Sequence, residues 1–340
     1  MRIMGMDEEQ HGRLNDGLEA IASPLTGEAP VATGPAAALT VASTKEAPPL
    51  TSNLRGAAWM LASALVFTVL MVLVRYLGTS FPAPVQTFYR QLASFLVLMP
   101  LILKRGPAAF TASRPWILCL LSGFGTAALG LSFYGFQKMS LAEANALSFT
   151  RALWLVPLAA IVVRERVGVM RIVALFAGFG GVLMMIRPAE GLHFTIDAPT
   201  LAMLASAFLL AMTVVSLKLL TRDHSPTVIL VWGAALGVLF TLPPALLVWR
   251  WPHGVDLVLL TLLGVLATVQ QAFFVKGIQL GDAAIMGSMD YSRLLFGAVA
   301  GYWLYHEVPG PWTLGGAVVI VASTLFITLH ERRLALDGKV

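Results

Sequence analysis

The chain has 340 residues, 57% of them hydrophobic and only 12% charged, with a mean hydropathy of +0.79. Soluble domains carry about 25% charged and about 45–50% apolar residues, so this composition excludes an ordinary water-soluble fold. The net charge of +5 gathers between apolar runs and is no signal of nucleic-acid binding.

Residues 1–50 hold seven acidic residues against three basic ones and end in "EAPVATGPAAALTVASTKEAPPLTS". No basic segment leads into an apolar one there, so a secretory leader is not expected. The composition predicts a disordered cytoplasmic tail over 1–54. From Arg55 onward ten apolar runs predict helices at 56–77, 85–103, 115–137, 142–163, 169–187, 199–220, 226–249, 255–279, 283–305 and 311–330. Each is long enough to cross about 30 Å of hydrocarbon, and none alternates as a β-barrel strand does. The connections, such as "GTSFPAP" and "HEVPGP", are short enough to make consecutive helices neighbours in one bundle.

Lysines and arginines near the helix ends set the orientation. With the chain starting inside, the cytoplasmic side holds Lys104, Arg105 and Arg114, then Arg164, Arg166 and Arg171, then Arg222, then Arg332, Arg333 and Lys339. The other side has Lys138, Arg187 and Arg250, with Arg75 near an end, so both termini are expected in the cytoplasm. The single cysteine, Cys119, excludes an internal disulfide and a cysteine-based metal cluster. Neither a Walker A sequence nor H-E-x-x-H nor an acidic cluster with metal spacing occurs, so no metal, cofactor or nucleotide-driven step is expected.

The pentapeptide MLASA occurs at Met60–Ala64 and again at Met203–Ala207, 143 residues apart. Arg75 and Lys218 share that offset, while Gly135 with Gly277, Gln137 with Gln279, Arg151 with Arg293 and Glu165 with Glu307 pair at 142. Two copies of five helices fill the chain, 55–188 and 189–330, followed by a short tail over 331–340. An odd number of spans makes the copies cross in opposite senses, an inverted repeat with its site expected near the midplane.

Arg151 falls nine residues into the fourth predicted span, about 13 Å deep at 1.5 Å per residue, and Arg293 takes the equivalent place in the ninth. An arginine at a helix centre costs about 2.5–3.5 kcal/mol on insertion scales, so each is expected to face the bundle interior and find a partner. Asp290, three residues before Arg293, shares its helix face and is either a structural ion-pair partner or a carboxylate for proton coupling. Asn145, Trp154, Tyr291, Tyr134, Gln137 and Gln271 complete the candidate site, since aromatic, arginine and amide groups suit carboxylates, amides and planar rings. Arg75 and Arg90 lie near span ends and are read as interfacial.

The stretch "LAEANALSFTRALWLVPLAAIVVRERVGVMRIVALFAGFGGVLMMIRP" (141–188) resembles the EamA module of the drug/metabolite transporter superfamily. A second copy reads "DAAIMGSMDYSRLLFGAVAGYWLYHEVPGPWTLGGAVVIVASTLFI" (282–327), and "FYR" (88–90) resembles the start of the family's second helix. The resemblance covers 55–330 and implies an all-α fold of ten transmembrane helices, two inverted five-helix repeats around a central cavity in the inner membrane. It also implies transport of small metabolites such as amino acids, nucleoside-like compounds, vitamins or drugs. Many members carry Glu-Pro in the ninth helix where this chain has Arg293–Leu294, and a proline or apolar residue where it has Arg151. The expected function is therefore secondary transport of an anionic or zwitterionic solute by alternating access, with protons as candidate coupling ion. A broad-specificity exporter is the alternative, and a membrane-embedded enzyme or sensor a weaker one.

Overall fold

The computed structural model describes residues 50–106, 115–158, 161, 169–186, 197–220, 226–280, 286 and 289–336. The predicted N-terminal tail, most of its length, and the loop residues Arg114, Arg164, Glu165, Arg166, Arg187 and Arg222 lie outside them. The described residues form helices α1 (Leu50–Leu77), α2 (Ala83–Arg105), α3 (Pro115–Lys138), α4 (Leu141–Ser148), α5 (Arg151–Leu158) and α6 (Val169–Ile186). There follow α7 (Ala198–Leu220), α8 (Pro226–Leu247), α9 (Val255–Leu280), α10 (Ser292–Tyr305) and α11 (Pro311–Leu336). Helices α1, α3, α7, α8 and α9 contain apolar stretches of 20–26 residues, long enough to cross a membrane, and α6 and α11 contain shorter ones. The protein is an all-α, multi-spanning membrane bundle.

Local chemistry sets several of the ends. Ser140 caps α4 by accepting from the Glu143 N–H at 3.2 Å, and the Glu143 carboxylate beside that positive helix end accepts from Thr313 Oγ1 at 3.0 Å. Gly106 closes α2 at φ 58°, a left-handed backbone that glycine reaches without a Cβ clash. His306 takes the left-handed helical conformation, φ 53° and ψ 34°, at the end of α10.

Helix contacts come in mates under the offset seen in the sequence. Helix α9 packs on α1 as α3 packs on α7, and α9 meets α2 as α8 meets α3. Helices α6 and α11 pack on each other, as do α2 and α8. The atomic contacts repeat too. Ser63 donates to the Gln270 carbonyl at 3.1 Å, and Ser206, its equivalent, donates to the Ala128 carbonyl at 2.7 Å. Met60 lies against Gly277, where an added Cβ would meet its Cγ at 2.7 Å, and Met203 lies against Gly135 in the same way. The two MLASA segments therefore pack each copy onto the other.

One polar clamp joins three connections. Arg75, at the end of α1, pairs with Glu307 and donates to the Met139 carbonyl at 3.0 Å, while its guanidinium lies 4.2 Å from the Tyr305 ring centre. The Glu307 carboxylate also accepts from the buried Leu141 N–H at 3.1 Å. Glu307→Ala leaves that amide without its acceptor and is expected to cost about 1–3 kcal/mol. Thermal melting of the purified protein checks this, with Glu307→Gln, which keeps the acceptor, losing less.

Candidate functional site

The fourth span, expected as one helix over 142–163, is interrupted. Helix α4 ends at Ser148 and α5 starts at Arg151, with Phe149 and Thr150 in a turn between them. There the backbone tightens to three-residue spacing: Phe149 N–H reaches the Ala146 carbonyl at 3.2 Å and Thr150 N–H the Leu147 carbonyl at 3.0 Å. Side-chain hydroxyls compete for the same carbonyls. Ser148 Oγ donates to Asn145 O at 2.7 Å and Thr150 Oγ1 to Leu147 O at 2.6 Å, back-bonding that bends helices. The ninth span shows the same tight spacing at the equivalent place, from Arg293 N–H to Asp290 O at 3.2 Å and from Leu294 N–H to Tyr291 O at 3.0 Å. The two interruptions touch: the Phe149 and Tyr291 rings, equivalent under the 142-residue offset, lie 4.7 Å apart.

Both deep arginines lie in the first turn of a helix just past these turns. Arg293 Nη2 donates to Asp290 Oδ2 at 2.7 Å and Nε to the Asp290 carbonyl at 3.3 Å. Its guanidinium also stands 4.6 Å from the Phe67 ring centre and 5.1 Å from that of Phe149, a cation held between aromatic faces. Arg151 is 8% exposed and within electrostatic reach of Arg293, Asp290 and Tyr291. The Tyr291 hydroxyl donates to Thr324 Oγ1 at 2.7 Å, fixing the turn to α11. Two cations and one carboxylate thus share a buried cluster.

The remaining sequence candidates scatter. Trp154 packs edge-on against Phe179 and Phe208 at 4.9 and 5.2 Å, with its indole N–H buried and unpaired. Asn145 is fully buried between α4 and α10; its amide donates to the Leu141 carbonyl at 2.8 Å and sits where a side chain at Gly297 would be. Tyr134 and Gln137 line a largely apolar groove of about 910 Å³ between α2, α3 and α8, whose described walls include neither arginine. Gln271 lines a second cavity of about 280 Å³ between α2, α3, α7, α8 and α9.

That second cavity contains a residue the sequence placed at the interface. Arg90 lies seven residues into α2, roughly 11 Å from its start, and its Nε is buried in the cavity wall without a partner. In the sequence it is an arginine inside an apolar run, five residues from the expected start at 85, and the helix itself starts two residues earlier, at Ala83. Among the described residues no group of three or more His, Cys, Asp or Glu side chains comes together as a metal site would require.

The profile of the EamA-like transporter family matches twice, over residues 54–187 and 198–329. The chain belongs to the EamA-like transporter family. This EamA-like protein is 28% identical over 293 residues to the S-adenosylmethionine uptake transporter of Rickettsia prowazekii, covering 84% of its own length and 96% of the relative's. It is 29% identical to the riboflavin transporter of Rhizobium johnstonii, covering 82% and 92%, and 26% identical to human solute carrier family 35 member G1, covering 81% and 79%. A solved structure described only as the crystal structure of a protein superposes with a TM-score of 0.53 at 18% identity, covering 84% of the chain and 98% of that structure, and so shares the fold. The EamA-like chain is a multi-pass inner-membrane transporter of small polar solutes and not an enzyme.

Proposed function

We propose that the chain is a ten-span secondary transporter, with both termini cytoplasmic, that moves a small anionic or zwitterionic metabolite by alternating access. The two inverted repeats are 55–188 and 189–330. The observation that carries this reading is the cluster of Arg151, Arg293 and Asp290 at two touching helix interruptions. Discontinuous spans at an inverted-repeat interface are where transporters hold charged solutes, and two guanidiniums around one carboxylate leave a positive balance for an anionic group. Tyr291 belongs to that cluster, and Trp154, Asn145, Tyr134, Gln137 and Gln271 are proposed as further contacts for the solute. Asp290 is the carboxylate proposed to carry a coupling proton.

S-adenosylmethionine, named for several relatives, is the first candidate solute: its sulfonium makes the whole molecule a net cation, and its zwitterionic amino-acid end supplies the carboxylate that the arginines suit. Riboflavin, named for another relative and uncharged at neutral pH, is the contrasting solute. Purified protein in proteoliposomes is expected to take up at least one solute from a panel of S-adenosylmethionine, riboflavin and amino acids. Arg151→Ala and Arg293→Ala are expected to reduce that flux at least tenfold, and Asp290→Asn to remove its dependence on a pH gradient. No flux of any anionic or zwitterionic solute overturns the reading. The apolar groove of about 910 Å³ favours a second one, export of larger apolar compounds, and flux of such compounds alone would select it.

A further inference from the structure

The cavity of about 280 Å³ stands apart from the arginine pair and has its own chemistry. Three polar atoms on its lining residues are buried without a hydrogen-bond partner: Arg90 Nε from α2, Ser122 Oγ from α3 and Gln271 Nε2 from α9. The other lining hydroxyls are already committed. Ser94, Thr126, Thr213 and Thr268 each donate to a carbonyl of their own helix at 2.7–3.1 Å. No Asp or Glu is among the described lining residues, and Arg90 is the one cation there.

A guanidinium inside a membrane bundle is costly unless something balances its charge. The open valences here can all donate, two of them from nitrogen, and they are drawn from three helices that converge on one space. Their complement is a monoanion offering at least two acceptor oxygens. A carboxylate fits: the planar guanidinium meets it with parallel N–H donors, and an amide N–H and a hydroxyl add further bonds. At about 30 Å³ per water the space holds about nine water volumes, enough for a small carboxylic or amino acid or for the amino-acid end of a larger solute.

We propose that Arg90, Gln271 and Ser122 form a carboxylate-binding subsite, distinct from the Arg151–Asp290–Arg293 cluster. Its role as a station for the carried solute rests on the transporter reading above; its affinity for a carboxylate does not. Arg90 supplies charge and geometry, Gln271 selects for an acceptor oxygen, and Ser122 closes the third side.

The test uses the purified full-length protein and matched probes: L-methionine against L-methioninamide, and butyrate against butyramide. Thermal shift and titration calorimetry are expected to show stabilisation of the wild type by the two carboxylates and none by the amides. Arg90→Gln is expected to weaken both carboxylates at least tenfold, while Arg90→Lys, which keeps the charge but loses the fork, falls between. Because Arg90 Nε has no hydrogen-bond partner among the described residues, neither variant is expected to melt below the unliganded wild type, and Gln271→Leu gives an independent loss. Equal carboxylate stabilisation in wild type and Arg90→Gln overturns the subsite, as does no carboxylate binding by the wild type; continued solute flux in proteoliposomes then leaves the transporter reading standing. Arg90-dependent binding without flux of any solute keeps the subsite and overturns the transporter reading.

Discussion

Asp290→Ala is expected to destabilise the protein by about 3–5 kcal/mol, the cost of breaking a buried ion pair from one side. Asp290 is 3% exposed and is bonded to Arg293 through both its carboxylate and its carbonyl, with Arg151 also within electrostatic reach. Removing the carboxylate leaves two buried guanidiniums within electrostatic reach of each other and without the carboxylate that offset them. The neighbouring Phe67 and Phe149 rings recover part of the loss for Arg293, because each offers a negative face to the cation. Melting of the detergent-solubilised protein measures the effect. The double variant Asp290→Ala with Arg293→Met is expected to recover most of it, since apolar replacements of a buried pair are close to neutral. A double variant as unstable as the single one would show that the pair is not what holds this turn.

That expectation separates two roles the cluster can play. A carboxylate present only for stability is dispensable once Arg293 is also neutral, so the double variant should melt near the wild type and transport no worse than Arg293→Met alone. A carboxylate that carries a coupling proton is not, so a pH-gradient response that survives in the residual flux of Arg293→Met and is lost in the double variant assigns the coupling to Asp290. Arg151 matters in both cases, because it remains the fixed cation on the other repeat.

The repeat was legible because its register is written in packing residues. Met60 and Met203 sit against glycines of the opposite copy, and Ser63 and Ser206 bond equivalent carbonyls, so the pentapeptide is constrained at both places. The helix interruptions were not legible from hydropathy. The segment "ALSFTRALW" holds no glycine or proline, and its apolar run continues through the break. The signal lay in the hydroxyls of Ser148 and Thr150, which take carbonyls that a regular helix would use. Arg90 was misplaced for a different reason. Five residues from a predicted end, an arginine reads as able to reach water, but α2 starts at Ala83 and its side chain enters a cavity instead. Tyr134 and Gln137 show a third limit: in lipid, a groove-facing and a lipid-facing helix surface are both apolar, so periodicity cannot say which side a polar residue joins.

Gly316→Val is expected to be the most damaging of the small substitutions. Between membrane helices there is little hydrophobic driving force, and close backbone approach at small residues supplies much of the association. A Cβ at Gly316 would lie 2.5 Å from the Gly181 carbonyl oxygen, and one at Gly181 would lie 2.8 Å from the Gly316 carbonyl oxygen. The obstruction is backbone on both sides, so no rotamer change relieves it. Alanine at 316 must push α11 from α6 at an overpacking cost of about 1–3 kcal/mol, and the branched valine exceeds that. Gly180 gives the control from the same "GFGG" run, because nothing lies within 4 Å of a Cβ there. Gly180→Ala should therefore melt at or slightly above the wild type, gaining up to about 1 kcal/mol of helix propensity. Equal melting shifts at 180 and 316 would mean that α6 and α11 are not held by this contact. Since α6 and α11 end the two family-matched segments, opening that contact loosens one copy from the other. Gly316→Ala is therefore expected to lower solute flux in proteoliposomes although it touches neither arginine.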